Sequence, residues 1–247
     1  MKYIIVLLLS ASIANAIMTI VPVELGNKPG FSGKISASLE TKRGNTEKDE
    51  YNAGVLLQYD NNKSYVIWSD FSGSYGEASG ERNTNKSYAH LRYIHTLYEK
   101  IFDWELYVQS ESNEFTKIEN RVLSGGGLRY KFLHNDYGRL YVGIGTFYES
   151  IHYTTDTDPY EVNLRINSYF AYTKNFANKS SIGYVLYYQP NTEEFSDYIL
   201  SHAIELNVNI YKELYLSFVF YHDVDEKPAL GVEKVDITQK TSFIFSF

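Results

Sequence analysis

From Phe31 to the C-terminus, apolar and polar residues alternate with a period of two, the spacing of a β-strand whose faces meet different surroundings. Leu200 to Tyr211 shows it most plainly. His202, Ile204, Leu206, Val208 and Ile210 share one face, and Ser201, Ala203, Glu205, Asn207 and Asn209 share the other. Segments of this kind fall at 31–42, 50–59, 64–76, 84–98, 103–114, 120–133, 139–153, 159–173, 179–190, 197–211, 213–223 and 234–247. They predict an all-β fold, an antiparallel up-and-down transmembrane β-barrel of about twelve strands, because each segment is long enough to cross a bilayer at a tilt. Short connectors at 61–63, 99–102, 134–138, 175–178 and 211–213 alternate with more polar ones at 43–49, 77–83, 154–158, 191–196 and 224–233. Barrels of this kind keep short turns on the periplasmic side, so both ends of the barrel are expected there. The connector at 116–119 is short for its predicted external side.

The N-terminal segment departs from the alternation. Lys2, an apolar run from Tyr3 to Leu9 and the small-residue ending Ala14, Asn15, Ala16 have the order of a secretory signal. The expected organisation is a signal peptide at 1–16, a short periplasmic segment at 17–30 and an outer-membrane barrel at 31–247. No later stretch is apolar enough for a membrane-crossing helix, so a membrane-embedded mature chain has to close into a barrel, since lipid tolerates no unpaired backbone groups.

Composition sharpens this picture. With 24 Tyr and 14 Phe the chain has the aromatic excess that barrels place as girdles at both membrane interfaces. There is no Cys, which removes disulfides, thiol catalysis and cysteine metal sites. The formal net charge of −7 argues against a nucleic-acid partner.

If the apolar face meets lipid, Leu106, Val108, Leu128, Tyr130, Leu140, Val142, Ile144, Val162, Leu164, Ile166, Leu186, Leu216, Phe218 and Phe220 lie outside. The other face then lines the lumen with Lys34, Glu40, Asp70, Lys86, Arg92, Glu105, Glu111, Arg121, Arg129, Lys131, Glu149, Glu161, Arg165, Glu205, Asp236 and Lys240. Neither sign dominates. Strongly selective channels present rings of one sign, whereas mixed charges pair and fill a bore, so a narrow and charge-braced interior is expected. Gly125, Gly127, Gly143 and Gly145 form a bare inward patch, with Gly127 and Gly145 as expected cross-strand neighbours. Two roles suit it: relief of curvature, and room for inward bulk such as Tyr107 or Phe147 or for a solute.

The last segment carries Phe243, Phe245 and Phe247 on one face and ends the chain on an aromatic. That ending looks like the C-terminal strand read by the barrel-assembly machinery. Catalytic chemistry has little footing: Gly125 to Leu128 lacks the context of a nucleotide loop. His202 and His222 share the lipid face, but Ser201 points the other way, so no serine hydrolase arrangement forms. The acidic loop residues Asp156, Asp158, Asp223, Asp225 and Glu226 lack the ligand cadence of a calcium site. No catalytic, cofactor or metal residue is assigned.

Three stretches carry a family likeness: Ser38 to Thr46 with Gly44, Asn45, Thr46 and Glu47 after a strand; Tyr75, Gly76, Glu77 through Gly80 to His90, Leu91, Arg92, Tyr93; and Trp104 to Tyr130 with Arg121 and Ser124, Gly125, Gly126, Gly127, Leu128, Arg129, Tyr130. Together they resemble the family of salt-induced outer-membrane proteins, the domain of unknown function 481. Arg129 stands where family members usually carry a glycine. The resemblance implies an outer-membrane barrel and a tie to envelope or salt stress, and it transfers no catalytic residue. The expected function is a monomeric, narrow channel for small polar solutes or ions, with outer-membrane lipid and the assembly machinery as partners. The rival is a closed structural or adhesive barrel acting through its external loops.

Overall fold

The computed structural model describes residues 29–42, 48–78, 80–97, 101–155 and 160–247, with the side chains of 40–42 and 48 excepted. The expected signal peptide and most of the 17–30 segment lie outside the described residues. The strands are β1 (Gly30–Lys42), β2 (Lys48–Asp60), β3 (Tyr65–Ala78), β4 (Glu81–Thr96), β5 (Phe102–Asn113), β6 (Ile118–Asn135), β7 (Gly138–Tyr153), β8 (Tyr160–Asn175), β9 (Ser181–Pro190), β10 (Tyr198–Tyr211), β11 (Leu214–Asp225) and β12 (Val235–Ser246). Each pairs antiparallel with its sequence neighbours, and β12 returns to β1, giving a closed twelve-stranded up-and-down barrel.

One end carries the tight turns and the chain terminus, and local chemistry explains their shape. At β2–β3, the Asn61 side-chain oxygen accepts the backbone N–H groups of Lys63, Ser64 and Tyr65, each at 2.9 Å. At β10–β11, Lys212 turns the chain with φ 49°, and its carbonyl accepts a hydrogen bond from Asn209 Nδ2 at 2.8 Å. The other end carries mostly longer connections. The connector expected at 77–83 is shorter than the pattern implied: pairing of β3 with β4 runs out to Ala78 and Glu81, because Gly80 adopts φ 80° and lets the chain reverse at once. The short 116–119 connector is a single 3-10 turn at Glu114–Thr116, closed by Lys117 at φ 59°.

Burial alternates along the strands, and the exposed set is apolar. Leu106 is 53 % exposed, Ile144 64 % and Phe245 50 %, while Glu105 and Tyr107 beside Leu106 and Ser246 beside Phe245 are buried. All fourteen side chains expected on the lipid face lie on this outer face, opposite to the buried alternates. A soluble sheet protein would bury these residues. A barrel whose outside is apolar and whose inside is charged has the polarity required by hydrocarbon surroundings.

The seam between β1 and β12 is the least extensive pairing. Its ladder runs from Ala37 opposite Phe243 to Lys34 opposite Ser246, and Gly33 with Phe247 adds two backbone hydrogen bonds of 2.9 and 3.0 Å. The ring of Phe247 lies over Gly33, where a Cβ would fall 2.6 Å from the ring and 2.8 Å from the Leu56 carbonyl oxygen. A Gly33→Val protein is therefore expected to lose the terminal ring contact and unfold about 1–3 kcal/mol more easily, read as a lower urea midpoint in lipid vesicles.

Candidate functional site: a lumen filled on one side

The inward face is built from alternate residues of every strand, so its geometry follows from register. On β4 to β9 these residues are dry and interlocked. Near the turn end, Arg129 donates to Asp103 Oδ2 through Nε at 2.9 Å and Nη2 at 2.6 Å, and its guanidinium lies 4.5 Å from the Tyr141 ring centre. At mid-height, Arg92 sits 5.5 Å over Trp68 and 5.0 Å over Tyr107, with Glu105 3.4 Å from its Nη1. His90 stacks between Trp68 at 4.9 Å and Tyr107 at 6.0 Å. Tyr169 reaches across from β8 to donate to Glu105 Oε1 at 3.0 Å, and Asn167 donates to the Tyr107 hydroxyl at 3.0 Å. Hydrogen bonds between β5 and β8 cross the interior, so they plug it.

Towards the loop end, Glu149 is wholly buried and accepts from two arginines: Arg121 through Nε at 2.9 Å and Nη2 at 2.6 Å, and Arg165 through its Nε. Arg165 continues to the Asp197 carboxylate at 3.0 and 3.3 Å. Asn191 ties Asp197 to Asn163, joining the β9–β10 loop to the wall. Above this cluster the β11–β12 loop folds over the mouth. Lys117 Nζ donates to the Leu230 carbonyl, and Lys227 is paired with Glu194, whose carboxyl is held below its ordinary range by that contact and by the Ser196 hydroxyl.

The opposite wall is different. On β10 to β12 and β1 to β3, Trp68, Asp223 and Asp236 are buried inward residues, but Ser36, Ser38, Asn52, Asp70, Ser72, Ser74, Glu205, Tyr221 and Lys240 are half-buried, and Lys34 is exposed.

All the expected lumen residues whose side chains are described have this inward parity. Glu40 is on β1, but its side chain lies outside the described set. Arg92, Glu105, Glu111, Arg121, Arg129, Glu149 and Arg165 are buried. Glu161 accepts from Tyr153 and Asn163, and Lys131 lies 5.9 Å over Tyr141. Lys34, Asp70, Glu205 and Lys240 lie on the other wall with the buried Asp236, and Lys86 is on β4 next to it. Gly127 pairs with Gly145, and Gly125 with Phe147. Phe147 lies against Gly125, with Tyr107 opposite Gly125 on β5, and the ring that covers Gly143 is Tyr169, from the adjacent β8. Phe243, Phe245 and Phe247 all face outward, Phe243 opposite both Ala37 and Leu216.

Sequence reasoning missed Asp103 and Asp197. Asp103 has the parity of Glu105 but sits at a strand start, while Asp197 lies in a connector, where parity has no meaning. Trp68 and His90 were missed because a charge-based search ignores rings, although they share parity with Asp70 and Arg92. His202 and His222 meet on the outer face with Nε2 and Nδ1 3.0 Å apart, and Ser201 is buried on the inner face, so the structure does not join them into a hydrolase site.

An apolar-walled, charge-filled, closed antiparallel barrel defines this protein as a membrane-spanning β-barrel of the outer-membrane type. The chain belongs to the family described as protein of unknown function, DUF481, which matches residues 35–247. No curated protein matches the chain. Among solved structures it is similar to the translocator domain of the autotransporter NalP from Neisseria meningitidis, at 11% identity over 90% of this chain and 89% of that one, with a TM-score of 0.46. It is also similar to a bacterial polysaccharide outer membrane secretin, at 8% identity over 91% and 99% of the two chains with a TM-score of 0.45. The KdgM porin is 13% identical over 87% and 96%, with a TM-score of 0.43.

Proposed function

We propose that the protein lies in a Gram-negative outer membrane with its tight-turn end periplasmic, and passes small polar solutes or ions along one side of its lumen. The observation that carries this reading is the asymmetry of the interior. The β4 to β9 half is packed with rings and ion pairs, whereas the wall from β10 through β12 to β3 keeps Lys34, Asp70, Glu205 and Lys240 partly accessible, with Ser36, Ser38, Ser72 and Ser74 half-buried on its inner face. A path of that shape is narrower than a twelve-strand bore and carries both signs of charge, which suits weak selectivity and small conductance. Reconstitution of folded protein into planar bilayers should give small discrete current steps. The Lys34→Glu, Lys240→Glu double variant is expected to move the permeability ratio towards cations by about threefold or more. Silence from verified folded protein would overturn the channel and favour a closed barrel acting through its clasped loops.

The proposal includes a monomeric barrel and an assembly signal in Phe243, Phe245 and Phe247, supported by their outward display beside the closing seam. A role in envelope or salt stress belongs to it as well, tested by growth of a deletion strain in raised salt.

A further inference from the structure

Lys34, Asp70, Glu205 and Lys240 lie on β1, β3, β10 and β12, within the one arc of neighbouring strands that runs from β10 through β12 to β3. Register sets them in two matching rows. Lys34 stands opposite Leu56 on β2, and Leu56 opposite Asp70 on β3. Lys240 stands opposite Val219 on β11, and Val219 opposite Glu205 on β10. Each row therefore presents a lysine, an apolar residue and a carboxylate to the lumen, with two strand spacings, roughly 9–10 Å, between the charged residues' backbones. Leu56, Val219, Asp70, Glu205 and Lys240 are half-buried and Lys34 is exposed, and on an inward side chain the accessible part is surface of the lumen. The two rows also meet, because Asp70 interacts electrostatically with Lys240 and Glu205 as well as with Lys34.

Among the described residues, none of these four charges forms an ion pair, and their one side-chain hydrogen bond is from Ser217 Oγ to Glu205 Oε1 at 3.4 Å. The packed half treats its charges differently. Arg92, Arg121, Arg129 and Arg165 all rest on carboxylates. Side-chain chemistry explains the division: a guanidinium is a rigid fork that suits a fixed carboxylate, whereas an ammonium is a compact charge on a flexible stem.

A lysine and a carboxylate held near each other and left unpaired are both satisfied by a solute that carries both signs. A simple ion answers one end of a row and leaves the other, and a neutral solute makes no charge-assisted hydrogen bond of its own sign to either. In a free amino acid the carboxylate accepts from a lysine ammonium, the primary ammonium donates to an aspartate or glutamate, and the short carbon skeleton covers the apolar residue between them. We propose that the two rows are successive binding positions for free amino acids, with the solute carboxylate on Lys34 or Lys240 and its ammonium on Asp70 or Glu205. This names the class of solute and rests on the reading of this wall as the solute path.

The test measures binding apart from conduction. Folded protein in detergent micelles is mixed with L-alanine, and saturation-transfer NMR is read at the alanine methyl group. Transfer should saturate, and propionate, propylamine and glycerol at equal concentration should give at least about fivefold less. The Asp70→Asn, Glu205→Gln variant keeps the side-chain shapes and should weaken alanine binding about tenfold, as should Lys34→Met, Lys240→Met. Neither variant strands an ion partner, so both barrels form, and heat-modifiable migration verifies it. In planar bilayers L-alanine should reduce the ion current over the same concentration range. Transfer as strong from propionate or propylamine, or unchanged in Asp70→Asn, Glu205→Gln, would overturn the amino-acid assignment. Saturable transfer in a protein that passes no current keeps the rows as a binding site and overturns the passage. Current without transfer from L-alanine keeps the passage and overturns the site.

Discussion

Glu149→Ala is expected to destabilise the barrel by about 3–5 kcal/mol, because it strands two buried guanidinium groups, those of Arg121 and Arg165, that now share one carboxylate. The cost comes mostly from the charges left behind. A buried ion pair gains little over an apolar filling of the same shape, since desolvation offsets its Coulomb attraction, but half of a pair is very costly. The matched variant Arg121→Met, Glu149→Leu, which removes a donor with its acceptor and leaves Arg165 on Asp197, should therefore recover much of the loss. Urea unfolding in lipid vesicles, followed by tryptophan fluorescence, reads both. If Glu149→Ala shifts the transition by less than about 1 kcal/mol, water reaches the cluster and the packed half of the lumen is not dry. The same variant should raise single-channel conductance, because the cluster closes the loop end of that half.

Gly145→Val is expected to be the most damaging single substitution in the wall, preventing folding or costing at least about 3 kcal/mol. A Cβ at Gly145 would run into the Gly126 carbonyl oxygen and lie 2.7 Å from the Gly127 Cα. Those are backbone atoms of the adjacent strand, so no rotamer relieves the clash. Gly127 has the reciprocal problem, with the Ile144 carbonyl at 2.5 Å. The pair thus lets the β6 and β7 backbones approach closely, while the neighbouring Gly143 leaves the space taken by the Tyr169 ring. Gly73→Ala is the control, with open space and an expected change within about 1 kcal/mol in either direction. The comparison is read as the fraction of heat-modifiable protein after refolding into vesicles. Equal behaviour of the two variants would refute the close-approach role.

The glycine patch makes room for inward rings and for close approach of β6 to β7, and the sequence showed only that the patch was bare. Phe147 and Tyr107 were legible as bulk beside Gly125, but the ring over Gly143 was not, because Tyr169 comes to it by the register of β7 with β8. Strand number and limits were legible for a local reason: alternation is written into each segment by the contrast between lipid and lumen, and no partner is needed to read it. Parity likewise put Arg121, Glu149 and Arg165 on the inner face. It carried no information on which carboxylate meets which guanidinium. Glu149 meets Arg121 by pairing of β6 with β7 and Arg165 by pairing of β7 with β8, and Asp197 joins them from a connector that has no period.

What the sequence determined by itself is the architecture and its polarity: twelve strands, an apolar exterior, a lumen of mixed charge and an aromatic ending, all properties of single segments. Only the tertiary structure decided that the mixed charge is sorted, with the buried pairs condensed on β4 to β9 and the charges of the opposite wall mostly half-buried. It alone showed that closure between β1 and β12 stops part-way. Both depend on contacts between segments far apart in the chain, formed when the sheet curves round and its first strand meets its last.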